Sequence, residues 1–455
     1  MKALKRFGAV LVTLLALTAV LTGTALAAEP GDGGISVQLN GRPVVFTDAA
    51  PEFSGGRTFV PLRAVLEAMD AQVDYNAGAV AIHRGGVDLS MVLGESRATV
   101  TANGQTRTMT MDVAPYVKND RTYVPVRFVA EAFGCSVGWD QDANTVVIVD
   151  VDALFGDATF DLMDNFAAYC NKQNTGNMAM AGTLKLDVAD KSGSYLPQPI
   201  SAKGNLEGIS GDRGAQLNWK LEVSGLSELL SGGASSPMEQ ILMQQMLAAL
   251  SNLEGEVRVD MEKPAVYLTL PASLTGASEG TWYSLDLGAY QAQLLNGLDM
   301  TQLAQLKDAG IREALTAVLS SIPVDDSRAS YDALALMASM YVDLLSDQAF
   351  TQKGNSYVAE MTLEGMVDLT VTLAKKGDDI TAVDIKMDCD AAEAGEKVTM
   401  TMTEHAAPDK VTVTMKMEIA ADGISVKCDL DLTGVPTRKA PVTAPPSGAA
   451  VVPMG

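Results

Sequence analysis

The chain has 455 residues, enough for two or three domains, and its 56 acidic side chains against 33 basic ones give a formal charge of -23. So acidic a surface repels phosphate backbones and anionic lipid headgroups, which excludes nucleic acid as a partner. Four cysteines are present, and none lies in a Cys-x-x-Cys pair, which excludes a simple zinc or redox motif.

At the N-terminus, Lys2, Lys5 and Arg6 precede an apolar run that ends in Ala25-Leu26-Ala27. A charged leader, an apolar stretch and a small-residue cleavage site predict a secretory signal peptide over residues 1–27. Retained, the same run approaches the length needed to span a bilayer, so an uncleaved anchor is the alternative. No second apolar segment of spanning length follows.

A seven-residue phrase is then used twice. Arg57-Thr58-Phe59-Val60-Pro61-Leu62-Arg63 returns, 64 positions later, as Arg121-Thr122-Tyr123-Val124-Pro125-Val126-Arg127. Each copy predicts a strand, a helix opened by proline and a closing hairpin. The helices carry Leu62, Val65, Leu66 and Met69 in one copy and Val126, Val129, Ala130 and Phe133 in the other, one buried stripe each. Gly134 supplies a left-handed stop to the second helix, where the first has Asp70.

Together with the strands Val37–Gly41 and Val44–Phe46, these phrases resemble the copper amine oxidase-like N-terminal domain, also called the stalk domain. The resemblance covers residues 35–150 and implies a secreted, cell-wall-associated protein of Gram-positive type, in which the domain spaces or tethers. It does not imply oxidase chemistry. A catalytic copper amine oxidase uses three histidines, and this chain has two, His83 and His405, in different regions. No cofactor is expected, and no catalytic or metal-ligating residues.

Arg63 and Arg127 are candidate binding residues for a carboxylate or sugar. Each also stands four residues before a glutamate, Glu67 or Glu131, so a helix-surface ion pair is the plainer reading. Asp140-x-Asp142-x-Asn144 opens like a calcium loop but lacks the glycine and the terminal glutamate, and a hairpin turn explains it better.

From 157 to 435 the pattern changes to a helix followed by long alternating strands, an α+β arrangement of antiparallel sheet and helices. Val411, Val413, Met415, Met417 and Ile419 point one way, Thr412, Thr414, Lys416 and Glu418 the other. Helices are expected over Phe160–Lys172, Met238–Leu253, Tyr290–Ser321 and Tyr331–Leu345. The pattern is similar to the lipoprotein-localisation (LolA-type) half-barrel, which implies a lipid or other hydrophobic ligand. Cys389 and Cys428 both fall on inward faces, on strands separated by two others in a meander, which favours reduced, structural thiols over a bridge.

Methionines crowd these strands, with Met400, Met402, Met415 and Met417 the candidate binding residues. Three readings stand: soft-metal ligation, the lining of an apolar cavity, and packing of a core short of aromatics. The Pro/Ala-rich tail, 436–455, predicts disorder. No hydrolase, nucleotide or metalloprotease motif occurs. The sequence therefore predicts a non-enzymatic envelope protein whose stalk domain positions a binding domain. Alternatives are a hydrophobic-ligand carrier and a hydrolase with an unmarked carboxylate site.

Overall fold

A computed structural model describes residues 34–454 apart from 77, 103, 174–175, 192–195, 212, 228–236, 264, 287–309, 323, 325–327, 364, 394–395 and 422. The expected signal peptide and the first part of the helix expected from Tyr290 lie outside the described residues.

The first copy of the repeat runs through β1 (Ser36–Leu39), β2 (Arg42–Pro43), β3 (Glu52–Ser54), β4 (Arg57–Pro61), α1 (Leu62–Ala68), β5 (Gln72–Asn76) and β6 (Ala79–Arg84). A further strand, β7 (Val87–Val92), leads to the second copy. That copy comprises β8 (Arg97–Ala102), β9 (Gln105–Thr110), β10 (Tyr116–Lys118), β11 (Arg121–Pro125), α2 (Val126–Ala132), β12 (Ser136–Asp140) and β13 (Thr145–Val149). Each proline closes its strand, and the helix begins at the next residue. Asp70 and Gly134 follow the two helices at φ +53 and +78, so both stops are left-handed and the aspartate tolerates what the glycine adopts freely.

Strands β4 and β11 pair antiparallel with Val60 opposite Val124, the same residue of the two copies. A local twofold axis passes between them, and β3 and β10 flank the pair symmetrically in the order β10-β11-β4-β3. The closing hairpins do not return to their own copy. The hairpin β12–β13 joins β1 and β2, with β13 parallel to β1, while β5–β6 reaches β8 and β9 through β7. Each copy thus completes the other's sheet, and neither holds a whole sheet alone.

After α3 (Val151–Leu154) and α4 (Asp161–Gln173) comes a meander of β14 (Asn177–Asp190), β15 (Ile200–Gly211), β16 (Gly214–Ser224), β17 (Asn252–Asp260), β18 (Ala265–Thr269) and β19 (Trp282–Asp286). Helix α5 (Pro237–Ser251) interrupts it before β17, and the short α6 (Ala272–Thr275) before β19. Helices α7 (Ile311–Ser320) and α8 (Arg328–Leu345) precede a second meander. Its strands are β20 (Thr351–Lys353), β21 (Ser356–Leu363), β22 (Val367–Lys376), β23 (Asp379–Glu393), β24 (Glu396–Ala407), β25 (Lys410–Ala421) and β26 (Ile424–Thr437).

The two meanders fuse where β26 pairs antiparallel along the whole of β14, from Asn177 opposite Thr437 to Asp190 opposite Ile424. The result is one fourteen-stranded sheet, the architecture is α+β, and among the described residues the sheet does not close on itself. Strand β15 was illegible because Gly204, Gly208 and Gly211 interrupt its alternation. A Cβ on Gly208 would collide with the backbone of Gln216 and Leu217, so the glycine keeps two strands close.

The tail expected to be disordered is laid along the sheet instead. Its last strand, β27 (Val451–Pro453), pairs parallel with β19 and forms the sheet's edge. Proline-rich composition forbids a packed core here, but it does not forbid an extended segment borrowing backbone partners from a finished sheet.

Two hydrophobic cores result, and they meet in β13. Val146 and Ile148 belong to the core of the repeat domain with Val60, Leu66 and Val129, while Val147 and Val149 belong to the second core with Phe166, Leu315, Tyr341 and Ile385. Alternation along one strand places successive residues on opposite faces, so one five-residue strand seals both domains. Arg84 pairs with Asp150, whose backbone N–H donates to Asn40 Oδ1 at 2.9 Å. Arg312 donates to Asp152 at 2.8 Å and to the Ala158 carbonyl at 2.9 Å.

Candidate functional site

The apolar face of the large sheet is continuous across both meanders, and its register sets the candidate methionines into rows. Cys389, Met400, Met417 and Cys428 are successive partners across β23, β24, β25 and β26. In the next row Met387, Met402, Met415 and Leu430 are aligned in the same way. All four predicted methionines therefore share one patch. Burial falls across it: Met387 and Met402 are buried, whereas Met400, Met415, Met417 and Cys428 are half-exposed.

The helices explain that gradient. Helix α4 packs on β23, and α8 on β21 and β22, so the strands from β25 onward are less covered by the described helices. No disulfide joins the four cysteines. Cys389 and Cys428 stand three strand spacings apart, roughly 14 Å, beyond the reach of a bridge. Burial, with Asp429 second, pushes the Cys428 thiol up, and burial pushes Cys135 up to about 12, so these are thiols rather than reactive thiolates. The patch offers a polarizable, adaptable apolar surface.

One residue breaks the apolar pattern. Glu404 lies on β24 on the same face, between Ile385 and Val413 on the neighbouring strands, and is 2% exposed. Neither carboxyl oxygen has a hydrogen-bond partner, and burial pushes its pKa up to about 7. Alternation placed it on the inward face alongside the methionines; that was the signal sequence reading passed over.

The opposite face is polar. A groove of about 550 Å³ lies over the central strands, lined by Lys185, Asp187, Asp388, Lys416, Lys427 and Asp429 among others. Its charges are largely mutually paired, Lys185 with Asp187 at 2.5 Å, Lys386 with Asp388 at 2.6 Å and Lys427 with Glu418 at 3.3 Å. Hydrogen bonds from Lys185, then Ser201, hold Asp187 below the usual carboxylate range, and Lys386 does the same for Asp388. Among the described residues no group of three His, Cys, Asp or Glu side chains is placed to hold a metal ion. His83 and His405 lie in different domains, each beside an aspartate at 2.7 Å, Asp88 and Asp384.

In the repeat domain, Arg63 and Arg127 are exposed and form no ion pair with Glu67 or Glu131. The arginines at the strand starts pair instead, each with the other copy. Arg57 donates to Asp112 at 3.0 and 2.5 Å, and Arg121 to Asp48 at 2.8 Å. Asp48 and Asp112 are themselves 64 positions apart, so the two pairs are related by the local twofold. Arg121, with a lesser contribution from Arg63, holds the Asp48 carboxyl below its ordinary range. Arg127 borders a cleft of about 390 Å³ with Arg57, Asp112, Phe53 and Trp139. The Asp140 carboxylate accepts from the backbone of Asp142 and Ala143, so the apparent calcium loop is a hairpin turn.

Residues 38–148 match the copper amine oxidase N-terminal domain, and the chain contains such a domain. A curated protein from Brevibacillus choshinensis described as a protease inhibitor is 32% identical over 146 residues, 31% of this chain and 43% of that protein. The chain thus spans less than half the length of that curated relative. A solved structure concerned with lipid–protein interactions in lipovitellin aligns with 59% of this chain and 26% of its own at 7% identity, with a TM-score of 0.19. That likeness is too slight to carry an argument.

Proposed function

We propose that the protein is a secreted, non-catalytic component of the cell envelope, in which the repeat domain is a rigid spacer and the large sheet carries the binding surface. The observation that carries this reading is β13, whose alternate residues close two cores and leave no free linker between spacer and sheet. A domain fused in this way positions its neighbour instead of tethering it loosely. The paired charges of the polar groove and the absence of a marked carboxylate pair favour binding over hydrolysis. The curated relative is described as an inhibitor of proteases, itself a binding role. Secreted proteases are therefore the first partners to test.

The experiment is fractionation of cells producing the full chain, followed by affinity capture from envelope extracts. Recovery outside the cytoplasm with a stoichiometric partner supports the proposal. A cytoplasmic protein, or a substrate turned over by the purified chain, overturns it.

A second reading has its own observation. The half-exposed Met400, Met415 and Met417 suit a varied hydrophobic ligand, and adaptable methionine surfaces re-pack around different partners. Native mass spectrometry of the purified chain separates the two, since a carrier retains lipid and an adaptor does not.

A further inference from the structure

The polar face of the first meander holds a built niche that belongs to neither reading. Arg258 on β17 is 8% exposed and donates through Nε to Glu256 Oε1 at 2.7 Å. The same carboxylate oxygen accepts from Gln216 Nε2 at 2.7 Å, and the Arg258 guanidinium lies 4.6 Å over the Trp282 ring. Held by Glu256 on one side and Trp282 on another, this guanidinium turns its Nη1 to the carbonyl of Ala444 in the tail. Gln216 Oε1 accepts from the Val442 N–H at 3.2 Å. Further along, Trp282 N–H donates to Ala450 at 2.9 Å and Met454 N–H to Ser284 at 2.8 Å.

Every one of these contacts to the tail is made to its backbone. The niche therefore reads an extended conformation and small side chains. The glycines beneath agree: a Cβ on Gly214 would come within 2.9 Å of Thr443, and one on Gly211 within 3.2 Å of Pro441.

We propose that Gln216, Glu256, Arg258 and Trp282 form a receptor for an extended, proline- and alanine-rich peptide. It is filled in cis by residues 438–454 and, by exchange, by the same segment of a second copy of this chain. From Thr437 to Val451 the tail crosses seven strand spacings, roughly 34 Å, and fourteen residues of polyproline-like chain reach about 43 Å. The strap spans this distance with a turn to spare, at Pro446–Ala449, where the Ala449 N–H donates to the Pro446 carbonyl at 3.1 Å, and it ends in a three-residue parallel strand whose Val451 and Val452 are 43% and 44% exposed. Cis and trans engagement make identical contacts, so effective concentration alone decides between them and exchange grows as the protein is concentrated.

The test uses the full chain and a fluorescent peptide of residues 438–455. Val442→Pro removes the N–H given to Gln216 and weakens the cis tail without touching the niche. The peptide is expected to bind this variant about tenfold more tightly than the native chain, the scale of one lost hydrogen bond. Adding Arg258→Gln is expected to abolish that binding. Native mass spectrometry is expected to show a dimer that grows with concentration in the native chain and is lost when residues 438–455 are deleted. A folded Val442→Pro chain that shows no saturable peptide binding overturns the proposal, whatever the fate of the Arg258 variant. So does a dimer that persists without the tail.

Discussion

Val147 and Ile148 are consecutive residues of one strand and lie in different hydrophobic cores, Val147 with the helices of the large sheet and Ile148 with the repeat domain. Both are fully buried. Packing of this kind binds the two domains through side chains that cannot be removed from one core without disturbing the strand that closes the other. The account of a rigid spacer rests on that relationship.

The buried Glu404 makes stability depend on pH. Its ordinary value is 4.5, and in the fold it is pushed up to about 7, so the unfolded chain releases its proton first. The contribution of Glu404 to stability is therefore greatest below pH 4.5, falls as pH rises through the interval, and is lost above pH 7. The shift corresponds to about 3 kcal/mol at most. Glu404→Met, close in volume and apolar, is expected to raise the urea midpoint at pH 8 and to flatten the profile between pH 4.5 and 7. An unchanged profile would show that the carboxyl is solvated after all.

The sulfur-bearing patch is predicted to divide into core and surface. Met402→Ala removes a buried side chain and is expected to cost about 2–5 kcal/mol, with a smaller loss for the half-exposed Met415→Ala. Binding of a hydrophobic dye, if the patch takes apolar ligands, should fall in Met415→Ala and survive in Met402→Ala at temperatures where both are folded. Equal losses of stability would contradict the burial gradient.

Gly255 faces Trp219 across β16 and β17, and a Cβ there would lie 2.5 Å from the indole. Gly255→Ala is expected to displace the ring, shift tryptophan emission to the red and lower the melting temperature by several degrees. An unaltered spectrum and melting temperature would mean that the strands simply part to make room.

Much of this was legible in residue pattern. The doubled phrase revealed the repeat domain, and period-two alternation located most strands of the large sheet, because both signals are local. What could not be read was pairing at a distance. The i to i+4 spacing made Glu67 and Glu131 look like the natural partners of Arg63 and Arg127, and nothing near Arg57 or Arg121 says that each reaches across to the other copy's aspartate. The junction of β14 with β26 joins residues some 250 positions apart, and no short-range signal encodes it. Tail order was missed for a related reason. Composition reports whether a segment can build a core, while the strap depends on Gln216 and Arg258, far away in sequence, presenting partners to its backbone.

Differential scanning calorimetry of the full chain, native and Ile148→Ala, tests the rigid spacer most directly. The account predicts one cooperative transition for the native protein. It also predicts that removing this repeat-domain side chain, at a cost of about 2–5 kcal/mol, lowers the unfolding of both domains together. Two separate transitions, with only the repeat domain's shifted by Ile148→Ala, would contradict it.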